Sequence, residues 1–127
     1  MRILIDTNQY RAFCQGTATA VQAVRQADLI NIPFVVLGEL RAGFACGSRS
    51  LQNEKNLMRF LNTPRVHMLY ADEDTTHQYA RLFRQLRSQG TPLPTNDLWI
   101  AALAVQHDLL LLSDDRHFDK LPQIARA

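Results

Sequence analysis

Several features that would point to particular classes of protein are scarce in this 127-residue sequence. The two cysteines, Cys14 and Cys46, form no Cys-x-x-Cys pair, so we expect free thiols in a reducing compartment rather than a disulfide framework. The five glycines contain no Gly-x-Gly-x-x-Gly pattern, which argues against a dinucleotide-binding loop. The net charge of +2 is too small to identify a polyanionic partner.

Long apolar runs are also missing. The first run, Ile3 to Ile5, is interrupted by Asp6 before it reaches the ~7–15 apolar residues of a signal-peptide core. The run from Leu98 to Val105 fits a buried helix and falls well short of the ~18 apolar residues that a membrane span needs. We therefore predict a cytoplasmic protein that does not contact a membrane.

Composition and periodicity predict one α/β domain spanning residues 1–127. Apolar residues make up 46% and charged residues 20%, which is ordinary for a globular domain. Short apolar runs alternate with helical patterns, which favours a mainly parallel central sheet. Strands are predicted at Arg2–Ile5, Leu29–Ile32, Arg65–Tyr70 and Leu109–Leu112, with a short edge strand after Pro122. Helices are predicted at Thr17–Ala27, Pro33–Phe44 (where Phe34–Leu37 also fits a strand), Ser48–Leu61, Asp72–Gly90, and beyond a Thr95 or Asn96 cap.

Acidic residues occupy conspicuous positions in this pattern. Asp6 ends the first predicted strand, and Asp114 and Asp115 directly follow the fourth. Glu39 interrupts an apolar run, and Asp97 lies in the first turn of an apolar helix. Because sites in open parallel sheets form outside the carboxyl ends of the strands, we expect Asp6 to meet Asp114 or Asp115 there.

Converging carboxylates repel one another, and a divalent cation with oxygen ligands would relieve that repulsion. Mg²⁺ or Mn²⁺ fits such a site, and either would suit phosphodiester hydrolysis. Zinc is disfavoured because the four histidines show no paired ligand spacing. The pattern alone leaves structural roles open as well, since an aspartate after a strand commonly caps a helix or forms an Asx turn.

Four segments, in order along nearly the whole chain, resemble the motifs of VapC-like PIN-domain toxins. They are residues 3–8 (Ile-Leu-Ile-Asp-Thr-Asn), 32–43 around Glu39, 94–102 around Asp97, and 112–118 (Leu-Ser-Asp-Asp-Arg-His-Phe). The resemblance implies a PIN fold, an α/β/α sandwich with a mainly parallel sheet. It also implies the following roles: catalytic residues Asp6, Glu39, Asp97 and Asp115; metal ligands Asp6, Asp97 and Asp115; supporting residues Thr7, Asn8 and Ser113; and candidate RNA contacts Arg116 and His117. Asp115 takes the fourth acidic position rather than Asp114, because Ser113 then precedes it by two residues.

The function implied by the resemblance is that of a Mg²⁺- or Mn²⁺-dependent endoribonuclease toxin. It would act on RNA, such as tRNA or another structured RNA, form a homodimer and be neutralised by a cognate antitoxin. A positive antitoxin side chain is expected in the acidic cleft, with docking on Phe34, Leu37, Leu51 and Leu57. A DNA nuclease, an RNA-processing nuclease and a non-catalytic nucleic-acid-binding module remain alternatives. A receiver domain is disfavoured because Thr7 follows Asp6 and Lys120 is the only late lysine.

Overall fold

The computed structural model describes residues 1–127 and contains a four-stranded, wholly parallel sheet flanked by six helices. The strands lie in the order β3-β2-β1-β4. The elements are β1 Arg2–Ile5, α1 Thr7–Cys14, α2 Ala18–Gln26, β2 Leu29–Pro33, α3 Phe34–Cys46, α4 Ser50–Leu61, β3 Val66–Leu69, α5 Glu73–Gln89, α6 Thr95–Gln106, β4 Leu110–Leu112 and a 3₁₀ helix Arg116–Lys120. The predicted fold class is confirmed.

Strand β1 lies at the centre of the core. Ile3, Leu4 and Ile5 are all completely buried, because helices cover both faces of a parallel sheet. In the register of the sheet, Leu4 is paired with Asn31 of β2 on one side and Leu111 of β4 on the other. This pairing brings the carboxyl ends of β1 and β4 together.

Helix α6 is buried on nearly every side, and its position fixes the residue at its first turn. Ala101, Ala102 and Leu103 are completely buried, and the helix packs against α5, α3 and the 3₁₀ helix. A helix that is apolar all round must be buried in this way. Asp97 is therefore held on a rigid element. No helix in the chain combines the length and the apolar character that a membrane crossing requires.

Helix α1 was not predicted from the sequence. Asp6 caps it by accepting a hydrogen bond from the Gln9 backbone N–H at 2.8 Å, and Gly16, with a φ of +80°, lies just beyond its end. The side of α1 that faces the protein carries Thr7, Gln9 and Tyr10 rather than an apolar stripe. The Asp-x-x-Gln spacing before a glycine is the sequence signal that would have identified this helix.

Several predicted boundaries are wrong by one or a few residues. Ser48 does not cap α4, which begins at Ser50 with Arg49 before it. Neither Thr95 nor Asn96 caps α6, because Pro94 is the N-cap residue and its carbonyl accepts a hydrogen bond from Leu98 N at 3.0 Å.

Other differences concern the ends of strands. Pro33 ends β2 and precedes α3 instead of lying in its first turn, and Phe34–Leu37 is helical. The predicted edge strand after Pro122 is reduced to a single bridge between Leu111 and Arg126.

Helix α5 begins and ends as the sequence predicts. The Asp72 side chain accepts a hydrogen bond from Thr75 N at 3.1 Å, and Gly90 ends the helix with a φ of +70°. Leu82 and Leu86 of this helix are buried, whereas Phe83 is 50% exposed.

Candidate metal and active site

A cavity of about 370 Å³ opens at the carboxyl ends of β1 and β4. It is lined by Asp6, Thr7, Asn8, Arg11, Glu39, Ala42, Asp97, Ile100 and Asp115. The four acidic residues expected to form one site therefore line one cavity, although they come from four separate parts of the chain. The Asp6 backbone N–H donates to the Leu112 carbonyl at 3.3 Å, which links the start of α1 to the end of β4.

Asp6 is the most enclosed of these carboxylates, with only 6% of the residue exposed. Burial raises the pKa of its carboxyl group, and the charges of Asp115 and Asp97 raise it further. Hydrogen bonding by the Ser113 hydroxyl and the Gln9 backbone N–H acts in the opposite direction but does not cancel the increase. An ionised Asp6 is therefore costly unless a cation lies beside it.

The loop after β4 holds Asp115 in the cavity through its own hydrogen bonds. The Asp115 N–H donates to Ser113 Oγ at 3.0 Å, and Asp115 Oδ1 accepts from the His117 N–H at 2.9 Å. Arg126 anchors the loop by donating from Nη2 to the Ser113 carbonyl and, at 3.1 Å, to the Asp115 carbonyl.

The His117 side chain lies next to two of these carboxylates. Its Nδ1 lies 2.9 Å from Asp97 Oδ2 and 3.3 Å from Asp115 Oδ1. One donor atom from each of the three side chains lies within 4.8 Å of the other two, a spacing at which they can share one cation. The donor set of carboxylate oxygens with one imidazole therefore fits a small divalent cation.

Among the other residues considered from the sequence, Thr7 and Asn8 line the cavity, whereas Asp114 does not. The Thr7 hydroxyl donates to Glu39 Oε1 at 2.9 Å and so orients that carboxylate. Asn8 lines the same cavity. Asp114 is not among the lining residues, because its exposed carboxylate accepts a hydrogen bond from Gln9 Nε2 at 2.7 Å. Of the two adjacent aspartates, only Asp115 lines the cavity, and its role in catalysis stays a prediction.

A family model described as "PIN domain" matches residues 3–124. The chain belongs to the PIN-domain family. Ribonuclease VapC4 of Mycobacterium tuberculosis is 32% identical over 94 residues, which cover 74% of this chain and 72% of the relative. The similarity to VapC proteins inferred from the four motifs is confirmed.

Solved structures share the complete fold of this PIN domain. The structure of VapBC-1 from nontypeable Haemophilus influenzae matches with a TM-score of 0.88 and 23% identity, covering 100% of this chain and 97% of the other. VapBC-5 from Mycobacterium tuberculosis, described as a member of the VapBC family of toxin–antitoxin systems, matches with a TM-score of 0.74 and 26% identity, covering 99% and 98%.

The sequence does not predict two basic residues of this PIN domain as parts of the cavity or of the group formed by Asp97, Asp115 and His117. Arg11 lines the cavity, and the sequence does not indicate this position because it does not predict helix α1. The sequence predicts His117 only as an RNA contact, since the spacing of the histidines does not indicate an approach to Asp97, twenty residues away. Arg116 is exposed beside the site, and its contact with RNA stays a prediction.

Proposed function

We propose that this PIN domain is an endoribonuclease that depends on Mg²⁺ or Mn²⁺ and acts as the toxin of a toxin–antitoxin pair. The observation that carries the proposal is the convergence of Asp6, Glu39, Asp97 and Asp115 on one cavity. The name of the most similar relative described above, a ribonuclease, supports RNA as the substrate.

Asp6, Asp97 and Asp115 are the residues that would hold the cation, with His117 beside two of them. Carboxylate oxygens are the ligands that Mg²⁺ prefers, and an imidazole is compatible with Mn²⁺. When bound, the ion would polarise the phosphate and lower the pKa of a coordinated water molecule. The unfavourable burial of an ionised Asp6 supports this assignment, because a cation removes that cost.

The protein groups would fix the geometry of hydrolysis. Asp6 is held by its role as the cap of α1, and Glu39 by the hydrogen bond from Thr7. In the reaction, a water oxygen bonds to phosphorus while the bond from phosphorus to the 3′ oxygen breaks. The products are a 5′-phosphate and a 3′-hydroxyl, which receives a proton. Glu39, whose carboxylate is oriented by the Thr7 hydroxyl, would accept a proton from water.

A cognate antitoxin is the partner that fits an acidic cavity of this kind. A positive side chain from the antitoxin would bind the carboxylates and exclude the metal. Phe34 and Leu51, which are 40% and 81% exposed, remain candidates for the docking surface, as does Leu37, which is partly buried. Leu57 is completely buried, so its predicted part in docking is wrong. We also propose a homodimer, to be tested by light scattering.

Cleavage of labelled RNA and of single-stranded DNA of the same sequence tests the function. RNA cleavage should require Mg²⁺ or Mn²⁺, stop with EDTA and resume when the ion is restored. Faster cleavage of DNA would favour the DNA-nuclease alternative. Binding of RNA without cleavage under any metal condition would favour the non-catalytic module and contradict the proposal.

A further inference from the structure

A second and larger cavity, of about 560 Å³, lies beside the acidic one. It is lined by Tyr10, Arg11, Cys14, Gln15, Gly43, Phe44, Arg49, Asn53 and Asn56, none of which is acidic. Its walls come from α1, α3, α4 and the turn before α4. It is therefore a polar cavity of opposite charge to its neighbour.

The two cavities follow one another along the same pair of helices. On α1, Thr7 and Asn8 line the acidic cavity, Arg11 lines both, and Cys14 lines the second. On α3, Ala42 belongs to the acidic cavity and the next residue, Gly43, to the second. At ~1.5 Å of rise per helical residue, the second cavity extends about 10 Å beyond the start of α1.

Arg11 and Arg49 bring two positive charges to this cavity. Neither guanidinium group forms a hydrogen bond or an ion pair within the chain. By contrast, Arg41 pairs with Glu54 at 2.8 Å. The Arg11 guanidinium lies against α3, where a Cβ on Gly43 would be only 3.0 Å from its Nη2. The absence of a side chain at Gly43 thus leaves space for Arg11 at the boundary between the cavities.

We propose that the second cavity is a subsite for the backbone of single-stranded RNA, in which Arg11 and Arg49 bind phosphates next to the cleaved bond. This inference rests on the proposed function, since it assumes that the substrate of the acidic cavity is RNA. Guanidinium groups bind phosphate through paired hydrogen bonds, and the side-chain amides of Asn53 and Asn56 offer further donors. Arg11 also offsets the repulsion between the RNA backbone and the neighbouring carboxylates.

RNA is favoured over an acidic peptide because the cavity continues directly from the carboxylate site, as a strand passing through that site requires. An acidic peptide that binds only through its negative charges would gain nothing by extending into the neighbouring cavity, because the four carboxylates there repel it.

The experiment measures binding of a fluorescent single-stranded RNA of about ten nucleotides by anisotropy, in EDTA and in an Asp115→Asn background that keeps the RNA intact. Arg11→Ala and Arg49→Ala should each weaken binding roughly fivefold and reduce the log–log salt slope by ~0.7. Arg49→Lys should recover part of the affinity, since the charge remains. Arg25→Ala, which removes an exposed arginine on α2 outside both cavities, is the matched control and should bind like the parent.

Equal RNA affinity in the parent, Arg11→Ala and Arg49→Ala proteins, all folded by circular dichroism, would overturn the subsite. So would a polyglutamate peptide that binds as tightly as RNA with the same dependence on both arginines. RNA cleavage by the unaltered protein is measured separately. Cleavage with no effect of the arginines refutes the subsite alone, whereas arginine-dependent binding without cleavage supports the subsite and refutes the nuclease.

Discussion

Replacing Asp6 by asparagine separates the two contributions of this residue, the helix cap and the charge. The cap depends on Oδ1, which accepts the Gln9 N–H at 2.8 Å, and asparagine caps helices about as well as aspartate. The charge is unfavourable in the metal-free protein, because burial and the charges of Asp115 and Asp97 raise the Asp6 pKa. Asp6→Asn should therefore keep the fold and abolish RNA cleavage.

The sign of the stability effect follows from the raised pKa. A carboxyl group with a higher pKa in the folded state favours folding while protonated, and this contribution is lost as the pH rises through the folded-state pKa. At pH 7 without metal, the asparagine variant should therefore be more stable than the unaltered protein and should melt at a higher temperature.

Asp6→Ala is the matched control, because it removes the same charge and also the cap. Loss of the cap should cost about 1 kcal/mol, so alanine should be less stable than asparagine by that amount. The advantage of asparagine over the unaltered protein should disappear near pH 3, and Mg²⁺ should raise the Tm of the unaltered protein only. Thermal melts at pH 7 and near pH 3, with and without Mg²⁺, measure the cost of the lost cap, the pH dependence and the stabilisation by the cation. An asparagine variant less stable than the alanine variant would refute the reasoning.

Three further substitutions test how other residues support the site. Thr7→Val removes the hydroxyl that orients Glu39 while keeping the side-chain shape, so kcat should fall roughly tenfold with little change in Tm; an unchanged kcat would contradict the role. His117→Ala should weaken Mn²⁺ binding roughly tenfold and Mg²⁺ binding less, because imidazole is a softer ligand than carboxylate. Calorimetry measures both affinities, and equal losses for the two ions would argue against coordination by His117. Arg126→Ala leaves the carbonyls of Ser113 and Asp115 without their donor, so the free energy of unfolding measured in urea should fall by ~1–3 kcal/mol and kcat should also fall. A normal kcat in the folded variant would show that Arg126 does not position Asp115.

Strands β1 and β4 were predictable because burial on both faces of the sheet gives each of them a short run of apolar residues. β1 was predicted with the bounds Arg2–Ile5 that the structure gives, and β4 is one residue shorter than predicted. Helix α1 escaped prediction because its buried residues, Thr7, Gln9 and Tyr10, form no apolar stripe in the sequence. The spacing of apolar residues therefore failed to indicate a helix at the candidate site itself.

The acidic part of the site was predictable from topology, and the basic part was not. Asp6 and Asp115 follow neighbouring parallel strands, so their proximity follows from the strand order. The approach of His117 to Asp97 depends on how the 3₁₀ helix packs against α6, which no local pattern specifies. The two arginines share a cavity only because α1 and the turn before α4 meet there.

The central claim, that these carboxylates bind the cation needed for RNA cleavage, is tested most directly by comparing two adjacent aspartates. Asp115→Asn and Asp114→Asn remove equal charges, but only Asp115 lines the cavity, while Asp114 is hydrogen-bonded to Gln9 outside it. Mn²⁺ binding followed by electron paramagnetic resonance, with RNA cleavage assayed on the same samples, gives the answer. We predict that Asp115→Asn loses both Mn²⁺ binding and cleavage, whereas Asp114→Asn retains both. Retention of both by a folded Asp115→Asn protein would contradict the claim.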